Sequence, residues 1–186
     1  MKKLFEEIRA ALACGENTVL CTVLASSGSA PRGAGARMAV FADGHASGTI
    51  GGGAVERIAA EQALELLRTG ENLLRTFRLS QNQVCDIGMI CGGDVTVYYQ
   101  ILKPEALPFA DALLEMLGSG ENGWLLMKMD ANASVRMGLY DERHGLRFLD
   151  GVSMEALRPM LRARAVYREG EESWYVEPVS RAGRVY

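Results

Sequence analysis

Three consecutive glycines, Gly51-Gly52-Gly53, constrain the fold of this chain more than any other feature. A strand-like stretch leads into them and a helical pattern follows, so they predict a sharp strand-to-helix turn, here called the glycine loop (residues 51–53). Unpaired N–H groups at a helix start, next to glycines that leave the backbone open, can cradle an anion such as a phosphate. A tight turn without a ligand has the same pattern. The loop matches neither a Walker A motif nor a G-x-G-x-x-G fingerprint.

Hydrophobic periodicity around the glycine loop predicts a mixture of helices and strands. Apolar residues recur at helical spacing from Leu4 to Leu12, and Asp43-Gly44 is a strong signal for a hairpin turn. The other predicted elements are strands at residues 18–25, 73–79, 94–102, 124–129 and 135–140, helices at 54–69, 108–117 and 153–162, and a final hairpin at 165–176. We therefore expect an α/β or α+β fold, with a mixed sheet and flanking helices.

The pattern restarts after Pro104, which predicts a junction between two parts of the chain. Residues 1–103 would form a ligand-binding domain, and residues 104–186 a second α+β segment or subdomain. No internal repeat is visible in the sequence. The 186 residues, of which 48% are hydrophobic, suffice for a sizeable core.

Composition excludes several classes of protein. The net charge of -3 does not favour a general nucleic-acid binder. No apolar run approaches the roughly 20 residues that cross a membrane, so we expect a cytoplasmic protein with no membrane partner. Its four cysteines are then expected to stay reduced. Cys21 lies in an apolar strand and is predicted to be a small buried hydrophobe.

Two arginines stand among small residues in the arginine segment (residues 26–37), which includes Ser29, Arg32, Gly35 and Arg37. Arginine binds phosphate and carboxylate groups through two parallel hydrogen bonds, and small neighbours let a ligand approach the backbone. The segment is therefore a candidate anion site. Alternatively, both arginines only solvate a surface loop.

A cysteine followed by two glycines, Cys91-Gly92-Gly93, closes the cysteine segment (residues 80–93). Backbone N–H groups there could lower the pKa of the thiol, and a thiolate can bind a soft metal or carry sulfur. Cys85 does not complete a zinc signature with it, and we predict no metal site. Near the glycine loop, Glu56 could complement the helix dipole or accept hydrogen bonds from the amide-like edge of a ring.

Together these elements resemble the XdhC/CoxI family. The resemblance is carried by three motifs in order: Gly28-Ser29-Ala30-Pro31-Arg32-x-x-Gly35-Ala36-Arg37-Met38, Gly48-Thr49-Ile50-Gly51-Gly52-Gly53-x-x-Glu56, and Gly88-Met89-x-Cys91-Gly92-Gly93. It covers residues 15–102 strongly and the rest of the chain weakly.

The resemblance implies a maturation factor rather than a catalyst. Such proteins bind molybdenum cofactor (molybdopterin) transiently, hold it while a cysteine desulfurase partner installs its terminal sulfur, and help insert it into an apo-molybdenum hydroxylase such as xanthine dehydrogenase. We also expect a homodimer. The predicted cofactor-binding residues are Ser29, Arg32, Gly35, Arg37, Gly51, Gly52, Gly53, Glu56, Cys91, Gly92 and Gly93, and Cys91 is the candidate catalytic thiol.

Two departures from the family pattern bear on this prediction. Many members carry a cysteine after the glycine triplet, where this sequence has Ala54, and the loss of that thiol weakens the sulfuration step most. Members also usually continue into a C-terminal Rossmann domain, whose dinucleotide fingerprint is absent from residues 1–186.

Two other functions remain open from the residues alone. The chain could be an enzyme, either a sulfurtransferase that uses Cys91 or part of an NAD(P)-dependent oxidoreductase completed by a separate Rossmann protein. It could also be a degenerate paralogue that only makes protein contacts, which Ala54 mildly favours.

Overall fold

The computed structural model describes residues 1–28, 32–79, 93–132 and 134–179 of the chain. It divides into two units, of which the first comprises Lys3–Leu107 and the second Pro108–Tyr186. Each unit is built on one five-stranded sheet. Within the described residues, no helix combines the length and the apolar character needed to cross a membrane.

The first sheet has the strand order β3-β2-β1-β5-β4, and every pair of neighbours in it is antiparallel. A helix precedes β1, and a second helix connects β3 at one edge of the sheet to β4 at the other. The elements are α1 (Lys2–Ala13), β1 (Thr18–Ser26), β2 (Arg37–Phe41), β3 (Ala46–Thr49), α2 (Gly53–Thr69), β4 (Leu73–Leu79) and β5 (Gly93–Leu102).

One face of the first sheet packs against α2. Side chains alternate along a strand, so Val19, Cys21 and Val23 of β1 point to the same face and are fully buried. The buried residues of α2 recur at helical spacing, at Val55, Ala59, Ala63 and Leu66. Cys21 is therefore a core residue, which confirms its predicted burial, and burial raises the pKa of its thiol.

The second sheet has the order β8-β7-β6-β10-β9, again with antiparallel neighbours throughout. Its elements are α3 (Leu107–Ser119), β6 (Gly123–Met129), β7 (Val135–Asp141), β8 (Gly145–Arg147), α4 (Met154–Leu157), β9 (Val166–Arg168) and β10 (Ser173–Val179). Short 3-10 turns lie at Pro104–Ala106 and Arg158–Met160. Numbered from its own first strand, this sheet has the strand order of the first one.

The mixed α and β content confirms the predicted fold class, but the expectation of a mixed sheet is wrong. The sequence pattern β3–α2–β4 suggests a crossover between parallel neighbours. The two strands do run in the same direction, yet β2, β1 and β5 lie between them with alternating directions. The helix crosses the whole sheet, so all contacts between neighbouring strands remain antiparallel.

Candidate functional site

The three motif segments leave the first sheet at the same end. The strand register establishes this, because β1 and β4 end where β2 and β5 begin, and β3 ends there too. The deciding pairs are Thr22 with Arg37, Arg37 with Thr49, Ser26 with Val95, and Leu79 with Gly93. We call this edge of the sheet the motif end. Segments far apart in the sequence thus start or finish side by side.

A cleft of about 270 Å³ opens at the motif end. Its walls combine the arginine segment with β3 and the start of α1; the lining residues are Met1, Leu4, Arg32, Gly35, Ala36, Arg37, Gly48 and Thr49. Among these described residues there are two arginines and no carboxylate, so the cleft favours an anion.

The two arginines of the cleft are held differently. Arg37 is the first residue of β2 and is 6% exposed. Its Nη1 donates a hydrogen bond to the carbonyl oxygen of Gly35 at 3.2 Å. Arg32 is exposed. The structure thus places one anchored and one solvent-exposed guanidinium on the same wall, together with Gly35.

The hairpin under the cleft requires a glycine at position 48. Gly48 has a φ of +83°, and a Cβ atom there would lie 2.4 Å from the carbonyl oxygen of Arg37. A side chain would therefore collide with the backbone of the paired strand. The close approach keeps Thr49 and Arg37 opposite each other at the cleft.

The glycine loop turns the chain from β3 into α2 with positive φ angles at all three glycines, +148° at Gly51, +89° at Gly52 and +64° at Gly53. Its donors point at a side chain of the protein itself. The Oε1 atom of Glu56 accepts hydrogen bonds from the N–H of Ile50 at 3.1 Å and from that of Gly51 at 3.3 Å. It also accepts one from the Thr49 hydroxyl. The donors at this turn thus converge on one oxygen atom, and that atom belongs to a carboxylate of the chain itself.

These hydrogen bonds set the charge state of Glu56. Burial alone raises the pKa of its carboxyl, but the hydrogen bonds lower it by more. They come from the Thr49 hydroxyl and from the N–H groups of residues 50–52. The pKa therefore lies below the ordinary value of glutamate, so that Glu56 is an anion at neutral pH.

The cysteine segment reaches the motif end through β5. Gly93 is the first residue of that strand. Next to it, the N–H of Asp94 donates to the Ser27 hydroxyl at 3.2 Å, and the N–H of Ser27 donates to the Asp94 carbonyl at 2.9 Å. These two bonds tie the start of the arginine segment to the start of β5, directly after the cysteine segment. The predicted site residues Ser29, Cys91 and Gly92 lie outside the described residues.

The cleft includes residues that the sequence reasoning did not single out. Thr49 belongs to the second motif, but the sequence assigns it no role. Its position two residues before the glycine triplet is the signal that could have identified it. Met1 and Leu4 belong to the α1 region, and nothing in a helical pattern indicates that such residues line a cleft. Among the described residues, no group of three or more His, Cys, Asp or Glu side chains could hold a metal ion.

Comparisons with known proteins identify these motifs. The sequence model of the XdhC and CoxI family matches residues 11–78, which include the arginine segment, the glycine loop and all of α2. Over these residues the chain is similar to the XdhC/CoxI family.

Two curated relatives of this chain come from Escherichia coli (strain K12). The uncharacterized protein YqeB is 38% identical over 82 residues, which are 44% of this chain and 15% of YqeB. The molybdenum cofactor insertion chaperone PaoD is 39% identical over 94 residues, which are 50% of this chain and 29% of PaoD. The matched regions thus amount to less than a third of the length of either relative.

The fold also matches a solved structure, a Bacillus halodurans protein described as a xanthine dehydrogenase. The TM-score is 0.74 at 18% identity, over 95% of this chain and 53% of that one. At this identity the likeness establishes the shared fold.

Proposed function

We propose that this chain binds molybdenum cofactor at the motif end of its first sheet and helps to insert it into a molybdenum hydroxylase. The family match and the relative PaoD, a molybdenum cofactor insertion chaperone, support a role in cofactor maturation. In this proposal the chain is a carrier rather than a catalyst. Within it, residues 1–103 bind the ligand, and residues 104–186 form a second segment.

The chemistry of the cleft fits one end of such a ligand. Molybdenum cofactor carries a phosphate, and Arg32 and Arg37 are the residues that would hold it. The cleft, at about 270 Å³, is slightly below the roughly 300–1,000 Å³ typical of ligand pockets. It would therefore take only part of the cofactor. The rest would extend along the motif end towards the glycine loop and Gly93, with Ser29, Cys91 and Gly92 as further proposed contacts.

The observation that carries the proposal is the convergence of two arginines on one cleft beside the family's glycine loop. The test is whether the purified chain captures molybdenum cofactor released from a denatured donor enzyme. The parent chain and Arg68→Lys should capture it, because Arg68 is an exposed residue in the last turn of α2. Arg37→Lys should capture much less, because lysine lacks the planar fork. No capture by the folded parent chain would contradict the proposal.

Sulfuration is the finer part of the proposal. We propose Cys91 as the reactive thiol that contacts the metal–sulfur end of the cofactor, with a cysteine desulfurase as sulfur donor. Mass-spectrometric mapping of alkylation with and without cofactor tests this. Cys14 is exposed and Cys21 is buried, so they serve as internal references for fast and blocked labelling. Cys91 should react quickly near neutral pH and be protected by cofactor, and equal labelling in both states would place it outside the site.

The proposed client is a molybdenum hydroxylase such as xanthine dehydrogenase, and the proposed assembly is a homodimer. The client is tested by adding the cofactor-loaded chain to apo-xanthine dehydrogenase and measuring recovered activity. Light scattering on the purified chain tests the dimer. Activity no greater than that obtained with free cofactor would contradict the proposed delivery.

A further inference from the structure

We infer that Glu56 closes the glycine loop to anions, so that the phosphate of the ligand binds in the arginine cleft. Glu56 thereby acts as a positioning residue for the wall of that cleft. This inference rests on the proposed function only in taking the ligand to carry a phosphate. The motif end would then have two parts with different chemistry. One is the set of backbone donors that Glu56 occupies, and the other is the cationic cleft.

The backbone donors beside the glycine loop already have an acceptor. A phosphate bound at this turn would compete for the N–H groups of Ile50 and Gly51, and both donate to Oε1 of Glu56. The depressed pKa of Glu56 means that this carboxylate keeps its charge at neutral pH. A phosphate that approached these donors would meet a like charge at contact distance. It would have to break three hydrogen bonds to a charged group before forming its own.

The neighbouring cleft carries positive charge, opposite to that of the Glu56 carboxylate. Along its described walls lie Arg32 and Arg37, without a carboxylate. Small residues at Gly35 and Ala36 leave room for a ligand between the guanidinium groups and the backbone. An anion that is repelled by Glu56 is attracted here.

Thr49 connects the cleft with Glu56. This residue lines the cleft, and its hydroxyl donates to Glu56. The N–H of Gly51 donates to the same hydroxyl oxygen at 3.3 Å. Because its proton is committed to Glu56, the Thr49 hydroxyl has a fixed orientation on the cleft wall. Glu56 therefore orders a cleft that it does not itself line.

Inorganic pyrophosphate is the probe that tests where an anion binds. In a two-dimensional amide NMR titration of the parent chain, the N–H signals of Gly35 and Ala36 should move, whereas those of Ile50 and Gly51 should stay. Arg32→Gln should weaken pyrophosphate binding at least about tenfold, the effect of losing a charge-assisted hydrogen bond. Arg68→Gln, which removes a charge from the last turn of α2, should bind like the parent. Large shifts at Ile50 and Gly51 in the parent would overturn the inference, because the anion would then displace Glu56.

Removing the carboxylate should create the site that Glu56 blocks. The double variant Arg32→Gln/Glu56→Ala should regain pyrophosphate binding, now with shifts at Ile50 and Gly51. A folded double variant that binds nothing would show that the loop is no anion nest, and would overturn the inference. If Glu56→Ala prevents folding, Arg32→Gln/Glu56→Gln replaces it. A neutral amide holds the donors less strongly, so excess pyrophosphate should shift the same two signals, and their failure to move would again overturn the inference.

The same measurements distinguish failure of the proposed function from failure of this inference. Pyrophosphate that binds in the cleft of a chain unable to capture molybdenum cofactor would leave the anion subsite standing and remove the proposed ligand. If the parent and Arg32→Gln instead capture cofactor equally well, with shifts at Ile50 and Gly51, that result would support the proposed function and contradict the anion subsite in the cleft.

Discussion

The two sheets of the molecule have the same strand order and the same sequence of connections, but different segments leave their corresponding ends. In the first unit, 10 residues connect β1 to β2 and 13 connect β4 to β5 (27–36 and 80–92). The corresponding connections of the second unit are residues 130–134 and 169–172. A common scaffold therefore carries long, motif-bearing segments in one unit and short turns in the other. This is the division expected when function lies in the connections rather than in the sheet.

Each unit also has a carboxylate that satisfies backbone donors at a turn. In the second unit, Asp141 accepts a hydrogen bond from the N–H of His144 at 2.7 Å and one from Nη2 of Arg147 at 3.1 Å. Burial raises the pKa of Asp141, but the hydrogen bonds from His144 and the charges of both partners lower it by more. Asp141 closes a hairpin and has the Arg147 guanidinium in direct contact. Glu56 accepts hydrogen bonds from uncharged donors beside a cationic cleft, where its charge can influence an anionic ligand.

The largest expected effect comes from the hairpin below the cleft. Gly48→Ala should destabilise the chain by about 3 kcal/mol or more, because it combines a positive φ with a Cβ placed against the Arg37 carbonyl. Urea unfolding measures the change in the free energy of unfolding.

The control for Gly48→Ala is a glycine of the second unit. Gly118 lies within α3, with nothing within 4 Å of a Cβ built on it and no positive φ. Gly118→Ala should stabilise the chain by about 0.5–1 kcal/mol, since alanine is the better helix former. A tolerated Gly48→Ala would mean that β2 and β3 do not approach as closely as described.

The next prediction compares the effect of an exposed arginine from each unit on cofactor binding. Arg32 lies in the connection before β2, and Arg136 is the second residue of β7. Arg32→Lys should weaken cofactor binding by about 1.5–3 kcal/mol, because the bidentate fork is lost. Arg136→Lys should leave binding unchanged. Equal affinities for both variants and the parent would remove Arg32 from the site.

A smaller effect depends on pH. Glu56→Gln should cost about 1 kcal/mol of stability at neutral pH, because the hydrogen bonds lose their charge assistance. The folded pKa is depressed, so the stabilisation by Glu56 is present above the unfolded value, near 4.3, and disappears as the pH falls through the lower folded value. The difference between parent and variant should therefore shrink on acidification. Unfolding curves between pH 7 and acid measure it, with the exposed Glu61→Gln as a control of constant small effect. A difference that grows towards acid would contradict the direction of the pKa shift.

The smallest effect on stability is expected from a substitution at Arg57, which follows Glu56 in the sequence. Arg57 forms an exposed pair with Glu61 at 2.9 Å, one helical turn apart. Arg57→Gln should change stability by only about 0.3–0.5 kcal/mol and leave ligand affinity unaltered. Reduced cofactor affinity would extend the site beyond the cleft onto the exposed surface of α2.

Local features of the fold could be predicted from the sequence because each has its own signal. The hairpin at Asp43-Gly44 and the end of α2 at Gly70, with a φ of +77°, follow from the conformations that glycine allows. The strand order could not be predicted, since periodicity reports which face of a strand is buried and not which strand lies beside it. The common topology of the two sheets is likewise invisible in the sequence.

Some features of the candidate site could likewise be predicted from the sequence, and others could not. The sequence predicts that the glycine loop could cradle an anion such as a phosphate, because residue types and spacing carry that chemistry. It could not indicate that the anion is Glu56. That outcome depends on how the first turn of α2 brings a side chain back over residues 49–51, a geometric result of three positive φ angles in succession. The participation of Met1 and Leu4 in the cleft depends on tertiary packing alone.

The pairing of β5 with β1 has a consequence for the order of events during synthesis and folding. β1 pairs with β5 along its length, with Thr18 opposite Leu102 and Ser26 opposite Val95, and these contacts are remote in sequence. Until the ribosome has released β5, the hairpin of β2 and β3 can form beside β1, but the cysteine segment has no strand to bring it to the other two motifs. Remote pairing of this kind is slow because a long chain must close first. The complete site is thus a late product of folding, and a nascent first unit would not hold all three motifs together before its sheet is finished.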